Sequence, residues 1–172
     1  MQALLAAIDS SQHHVHLEFF IIHSDAAGEV LIEHLARKAR LGVEVRLLYD
    51  AMGSLHLKKA TLAPLVAAGG EMHAFLPLRL QRSRLHVNLR NHRKLVVVDG
   101  GTAFTGGMNI GDEYLGRNAY FGYWRDTFMR VDGPAAGALQ CVFQEDWDFA
   151  GGNAFDGEKY FPNMPNAGGA LD

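Results

Sequence analysis

The chain has 172 residues, of which 48% are hydrophobic and 10% aromatic, and a net charge of −3. That is enough chain for one domain with a single core, and too balanced a composition for a disordered or fibrous protein. The single cysteine, Cys141, excludes an internal disulfide and a cysteine metal cluster; no run free of Asp, Glu, Lys and Arg exceeds 12 residues, against the roughly 20 apolar residues that a spanning helix needs.

Residues 3–10 read as a short helix. Residues 14–22 follow as a strand, with Val15, Leu17, Phe19 and Ile21 alternating against His14, His16, Glu18 and Phe20. Residues 28–41 carry apolar side chains near helical spacing, stopped by Gly42, and residues 43–49 form the next strand, ending in a turn over residues 50–54. This strand, helix, strand order predicts a right-handed crossover in a mixed, largely parallel central sheet with helices on both faces, an α/β fold. A helix over residues 62–68 and a strand over 71–75 come next. Residues 94–98 and 102–105 read as a hairpin closed at Asp99-Gly100-Gly101. Residues 124–131 alternate again, and Pro134 opens a last helix through Phe149. Residues 1–150 thus form the expected domain, and residues 151–172, rich in Gly, Asn and Pro, have the composition of a linker.

Charge is segregated. From Met72 to Val98 there is no Asp or Glu, while Arg79, Arg82, Arg84, Arg90, Arg93 and Lys94 supply six positive charges. Such a segment suits an anionic ligand, although like-charge blocks are also found as solvated loops. Within it His92 and Lys94 are one residue apart at a strand entrance, so the pleat turns both to one face. An imidazole can attack phosphorus or protonate a leaving oxygen, and an ammonium can neutralise charge developing on phosphoryl oxygens.

A His-x-Lys pair is a common accident. The extended pattern His92-x-Lys94-x4-Asp99-x6-Gly106-Gly107-x-Asn109 is not, and it resembles the catalytic (HKD) motif of the phospholipase D superfamily. Further stretches, Gly42-Val43-Glu44-Val45-Arg46-Leu47-Leu48-Tyr49-Asp50, Leu89-Arg90-Asn91-His92-Arg93-Lys94, Gly106-Gly107-Met108-Asn109-Ile110-Gly111-Asp112-Glu113-Tyr114 and Trp124-Arg125-Asp126-Thr127, are similar to the bacterial cardiolipin synthase branch. The likeness runs from about Leu4 to Phe149 and covers one motif copy. It implies a phospholipase D-like half in which His92 forms a phosphohistidine intermediate. A second histidine, from a missing C-terminal repeat or a homodimer mate, would protonate the leaving group. Lys94 and Asn109 would hold the phosphoryl oxygens, without metal or cofactor. The implied substrate is a phospholipid such as phosphatidylglycerol, handled at a bacterial membrane surface in a longer parent protein, this chain itself being soluble and without a spanning segment. A homodimeric single-motif nuclease and an inactive half that only binds phosphate are the alternatives; the net negative charge weakens the nucleic-acid one.

Five further expectations concern the surroundings. Asp99 belongs to the motif, yet Asp before Gly-Gly is ordinary turn chemistry, which assigns it a structural role. Alternation through residues 124–128 places Asp126 in a strand beside Trp124 and Phe128, where it would accept a hydrogen bond from His92 and fix its tautomer. Glu18, Arg90, Asn91 and Gly107 are candidates for substrate contact, Glu18 because parallel strands present ligands at their carboxyl ends. His14 and His16 share a face but lack an acid to complete a metal set, and Phe19, Phe20, Phe121 and Trp124 are either core or the lining of a lipid path.

Overall fold

The computed structural model describes residues 1–77 and 90–163. Its centre is one six-stranded sheet in the order β3-β2-β1-β4-β5-β6, with strands β1 His14–Phe19, β2 Glu44–Asp50, β3 Glu71–Phe75, β4 Lys94–Val98, β5 Thr102–Gly106 and β6 Phe128–Asp132. Helices α1 Gln2–Ser10, α2 Ala26–Arg40, α3 Lys59–Ala67 and α4 Pro134–Phe149 complete it. The α/β class and the flanking of a mixed sheet by helices agree with the sequence. Parallel pairing joins β1 to β2 and β2 to β3, whereas β4 lies antiparallel to β1, β5 to β4 and β6 to β5. The parallel part is thus the half built by helical crossovers, and not the larger share of the sheet. β4 enters the sheet at the carboxyl end of β1 and so runs against it, and the tight turn at Asp99 returns β5 antiparallel to β4.

The two faces have separate cores. Val15, Leu17, Phe19, Val45, Leu47, Val96 and Val98 pack against Leu4, Ile8, Leu31, Leu35, Leu62 and Leu65 of α1, α2 and α3. Leu48, Leu95, Val97 and Ala103 pack against Ala136, Phe143 and Trp147 of α4. A strand buried on both faces needs no polar alternation, yet β1 keeps one: His14, His16 and Glu18 all face α4 and all are buried. They survive there because α4 carries polar groups in its buried stripe. Gln140 offers its carbonyl to His14 Nε2 at 3.3 Å and its amide to His16 Nδ1 at 2.8 Å. Burial drives the His14 pKa down to about 3 and lowers that of His16, so both rings are neutral packing elements at neutral pH. Among the described residues no set of three His, Cys, Asp or Glu is gathered as metal ligands, and no helix is long and apolar enough to cross a membrane.

Composition suggests a linker after Gly151, but its described part is fastened to the domain. Phe155 and Tyr160 are buried in the α4-side core. The Tyr160 hydroxyl donates to Glu44 Oε2 at 2.9 Å, Lys159 Nζ reaches the same oxygen at 3.0 Å, and the Arg46 guanidinium lies 4.5 Å from the Phe155 ring centroid. Few apolar residues are enough here, because each aromatic ring buries a large area.

Candidate functional site

The carboxyl ends of β1 and β2, the start of β4 and the exit of β5 meet at one edge of the sheet. Asp50, the last residue of β2, makes the turn that closes this edge: its Oδ1 accepts from Met52 N and Gly53 N, each at 2.9 Å. Ser54 then ties the β2 turn to the chain leaving β1. Its hydroxyl donates to Phe20 O and accepts from Ile22 N, both at 3.1 Å. The glycine-rich exit of β5 runs beside that same segment, with Ile110 N donating to Ile21 O at 3.1 Å and His23 N to Ile110 O at 2.9 Å. This zipper holds Asn109 in place; its side-chain oxygen accepts from Ile21 N at 3.0 Å.

His92 and Lys94 gather at Phe20, the residue before Ile21. Lys94 Nζ lies 3.0 Å from His92 Nδ1 and donates to His92 O at 2.7 Å, and the His92 ring is 4.4 Å from that of Phe20. Lys94 is buried, His92 exposed. Burial lowers the Lys94 pKa, with the charge of Asp126 opposing the shift. The ammonium is therefore partly desolvated and hydrogen-bonded to His92 but to no carboxylate, a state in which a phosphoryl oxygen is a strong competing acceptor. Asn109 also meets Tyr114, whose hydroxyl is pushed up to about 12 by burial and by Glu113, with Asn109 pulling the other way; Tyr114 thus stays a neutral donor.

The expected hydrogen bond from His92 to Asp126 is absent. β6 begins only at Phe128, and residues 121–127 are exposed coil. The ladder ends at the pairing of Gly106 with Phe128, so the apparent alternation from Trp124 to Phe128 belongs to an aromatic loop and not to a strand. Asp126 Oδ1 accepts from Thr127 N at 2.8 Å, and the carboxylate lies over Gly107, where a Cβ would come within 2.1 Å of it. Its charge is felt by Lys94, and Lys94 occupies one of the two ring nitrogens of His92, Nδ1. In the same loop Tyr120, Phe121, Tyr123 and Trp124 are exposed, whereas Phe19 belongs to the core.

Asp99 stands at the far end of β4 from Lys94, about 16 Å away at the rise of a strand. In a left-handed conformation (φ 50°), it accepts from Gln12 N and His13 N at 2.8 Å and from His14 N at 2.9 Å. Three backbone donors on one carboxylate make it the clamp that starts β1. Asp99→Ala is expected to lower stability by about 3 kcal/mol, from lost charge-assisted bonds and an unfavourable left-handed alanine. Denaturant unfolding reads the loss, and reduced activity without it would point instead to a role in the chemistry.

Glu18 and Asn91 are brought together, but in the interior. By register Glu18 leaves the sheet on the α4 side with Leu95, and Lys94 on the opposite side with Phe19. Asn91 Nδ2 donates to Glu18 Oε2 at 3.2 Å and to Asp146 Oδ2 at 2.9 Å, and Arg93 also pairs with Asp146. Burial, and then the charge of Asp146, raise the Glu18 pKa to about 9. Arg90 Nη1 lies 4.0 Å from Asp50 Oδ1; Arg79, Arg82, Arg84 and His86 lie outside the described residues. Asp146 was not anticipated from the sequence, though one signal existed: with Gln140 it falls on the buried stripe Ala136, Gln140, Phe143, Trp147 of α4, and a carboxylate on such a stripe needs a partner.

The architecture is that of the phospholipase D fold. The structure is similar to Nuc, a phospholipase D family member from Salmonella typhimurium, with a TM-score of 0.60 over 91% of this chain and 90% of that one at 17% identity. It is also similar to phosphatidylserine synthase from Haemophilus influenzae, with a TM-score of 0.62 over 95% of this chain and 37% of that one at 16% identity. Residues 4–147 match the family described as the PLD-like domain of cardiolipin synthase, and the chain belongs to that family. Among its relatives, the cardiolipin synthase of Geobacillus kaustophilus is 49% identical over 150 residues, 87% of this chain and 30% of that protein. Cardiolipin synthase 2 of Bacillus cereus is 44% identical over 159 residues, 92% and 31%. The chain therefore spans about one third of the length of these relatives.

Proposed function

We propose that this chain is the phosphodiester-attacking half of a phosphatidyltransferase of the cardiolipin synthase type, acting on a phospholipid at a membrane surface with a second His-x-Lys repeat. The observation that carries this reading is the convergence of a partly desolvated Lys94 on His92 beside Phe20, with Asn109 tied to the next residue, Ile21. His92 Nε2 attacks phosphorus, the bond from phosphorus to the headgroup oxygen breaks, and the second repeat's histidine gives that oxygen its proton. An acceptor alcohol then attacks the phosphohistidine, the P–N bond breaks, and the second histidine takes the alcohol's proton. Lys94 and the Asn109 amide hold the non-bridging oxygens in both steps.

The resting contact bears on the first step. A charged Lys94 donating to Nδ1 leaves the ring proton on Nε2, so attack requires that Lys94 turn to the incoming phosphoryl oxygens and that Nδ1 take up the proton. Asp126, close enough to Lys94 to stabilise its charge, is the carboxylate available to accept from Nδ1–H once Lys94 has moved. In this reading Asp126 orients the imidazole in the substrate complex, while Gly107 leaves room for its carboxylate.

The test uses the full two-repeat protein with phosphatidylglycerol vesicles. Formation of a diphosphatidyl product, together with an acid-labile, base-stable phosphoryl label on His92, is the expected result. Cleavage of DNA without turnover of lipid would overturn the reading in favour of a nuclease.

A further inference from the structure

Both neighbours of His92 are anchored from below, and the anchors come from elements far apart in the chain. Asn91, only 5% exposed, spends its two amide hydrogens on Glu18 of β1 and Asp146 of α4, at 3.2 and 2.9 Å. Its backbone N–H reaches Asp50 Oδ2 at the end of β2, at 3.2 Å, and its side-chain oxygen accepts from Arg93 N at 2.9 Å. The Arg93 guanidinium returns to Asp146. His92 lies between two held residues, and its own side chain is left to Lys94 and Phe20.

We propose that Glu18, Asn91 and Asp146 are positioning residues for the reacting histidine, with Asp146 the member that holds both of its flanks; the inference rests on the reading of His92 as the attacking residue. The charges support it. Two carboxyl groups share one amide and one guanidinium, so the cluster is satisfied when Arg93 balances a charged Asp146 and Glu18 is neutral. Burial and the Asp146 charge keep the proton on Glu18 through neutral pH. Glu145 is the further acid whose charge Arg93 feels, and Asp50, with Arg90 beside it, closes the β2 side. Direct contact of Glu18 with substrate does not suit a side chain 1% exposed under α4. Positioning matters here because an imidazole displaced by about 1 Å costs a transfer reaction on the order of 100-fold.

The experiment compares the full two-repeat protein with its Asp146→Asn, Glu18→Gln and Asp148→Asn variants. Asp148 is exposed on the same helix and serves as the control. Asp146→Asn is expected to lower kcat by about 10- to 100-fold, with KM within about twofold, because the substrate's own contacts are intact. Glu18→Gln keeps the shape of the neutral acid and should lower kcat at pH 7 by less than Asp146→Asn does, whereas the Asp148→Asn control should match wild type. A readout independent of lipid turnover is the rate at which diethyl pyrocarbonate modifies His92, against exposed His56 in the same molecule; Asp146→Asn should change the first and not the second. Unchanged kcat per folded molecule with unchanged His92 labelling in Asp146→Asn overturns the positioning role. A wild-type protein that turns over no lipid, with His92 labelling still sensitive to Asp146→Asn, instead overturns the functional reading and leaves the positioning intact.

Discussion

His92→Asn is expected to abolish phosphatidyl transfer, by about a thousandfold or more, in a protein that remains fully folded. The magnitude follows from the chemistry: an amide cannot form the phosphoryl intermediate, and removing a covalent nucleophile commonly costs three or more orders of magnitude. The intact fold follows from the geometry. The imidazole is exposed, its flanks are held through Asn91 and Arg93, and the 2.7 Å bond from Lys94 Nζ ends on the backbone carbonyl of residue 92, which the substitution keeps. Exposed substitutions of this kind usually change stability by no more than about 0.5 kcal/mol. Rates on phosphatidylglycerol vesicles, with a thermal melt alongside, measure both. Transfer within tenfold of wild type would remove His92 from the chemistry.

The adjacent glycines should separate stability from activity. At Gly106 (φ 153°) a Cβ would lie 2.1 Å from the Thr127 carbonyl oxygen and 3.0 Å from Phe128 Cα, both backbone atoms of the segment entering β6. Gly106→Ala must push the edge strand away, and a loss of about 2–4 kcal/mol is expected from strain and broken pairing. At Gly107 the atom met at 2.1 Å is Asp126 Oδ1, the end of an exposed side chain that can swing aside. Gly107→Ala should therefore leave the melting temperature nearly unchanged while expelling the Asp126 carboxylate from the neighbourhood of Lys94. If Asp126 orients His92 in the substrate complex, activity should fall by about 10- to 100-fold. Denaturant unfolding and transfer rates on the two variants measure the contrast; equal stability losses would mean that residue 107 is held by backbone as tightly as residue 106.

Much of the fold was readable because it is local. The apolar alternation of residues 15–19, the stop at Gly42, the Asp99 hairpin and the Pro134 helix start each act within a few residues, and the elements formed where those signals lie. The reading of residues 124–127 as strand failed for a reason that is also physical. Alternation reports a pleat only where a neighbour supplies hydrogen bonds, and past the Gly107 N–H, which donates to Thr127 O at 2.9 Å, the chain leaving β5 turns to the segment after β1 instead. The tail from Gly151 misled in the opposite sense, since two buried aromatics, Phe155 and Tyr160, outweigh a linker's composition.

By itself the sequence determined the chemistry that is available: an imidazole and an ammonium two positions apart and an amide beyond a glycine pair, at a spacing that one hairpin can bring together. It also determined the α/β class, through periodicities of 2 and 3.6 residues. Only the tertiary structure decided which partner each of these groups keeps. That Glu18 meets Asp146 across Asn91, that Lys94 and not Asp126 occupies His92 Nδ1, and that Asp99 serves β1 are contacts between residues separated by up to 128 positions, made by the packing of α4 and β1 on the two sides of β4. Local pattern carries no record of such contacts, because the cost of burying a charge is met by whatever partner the assembled fold brings within about 3 Å.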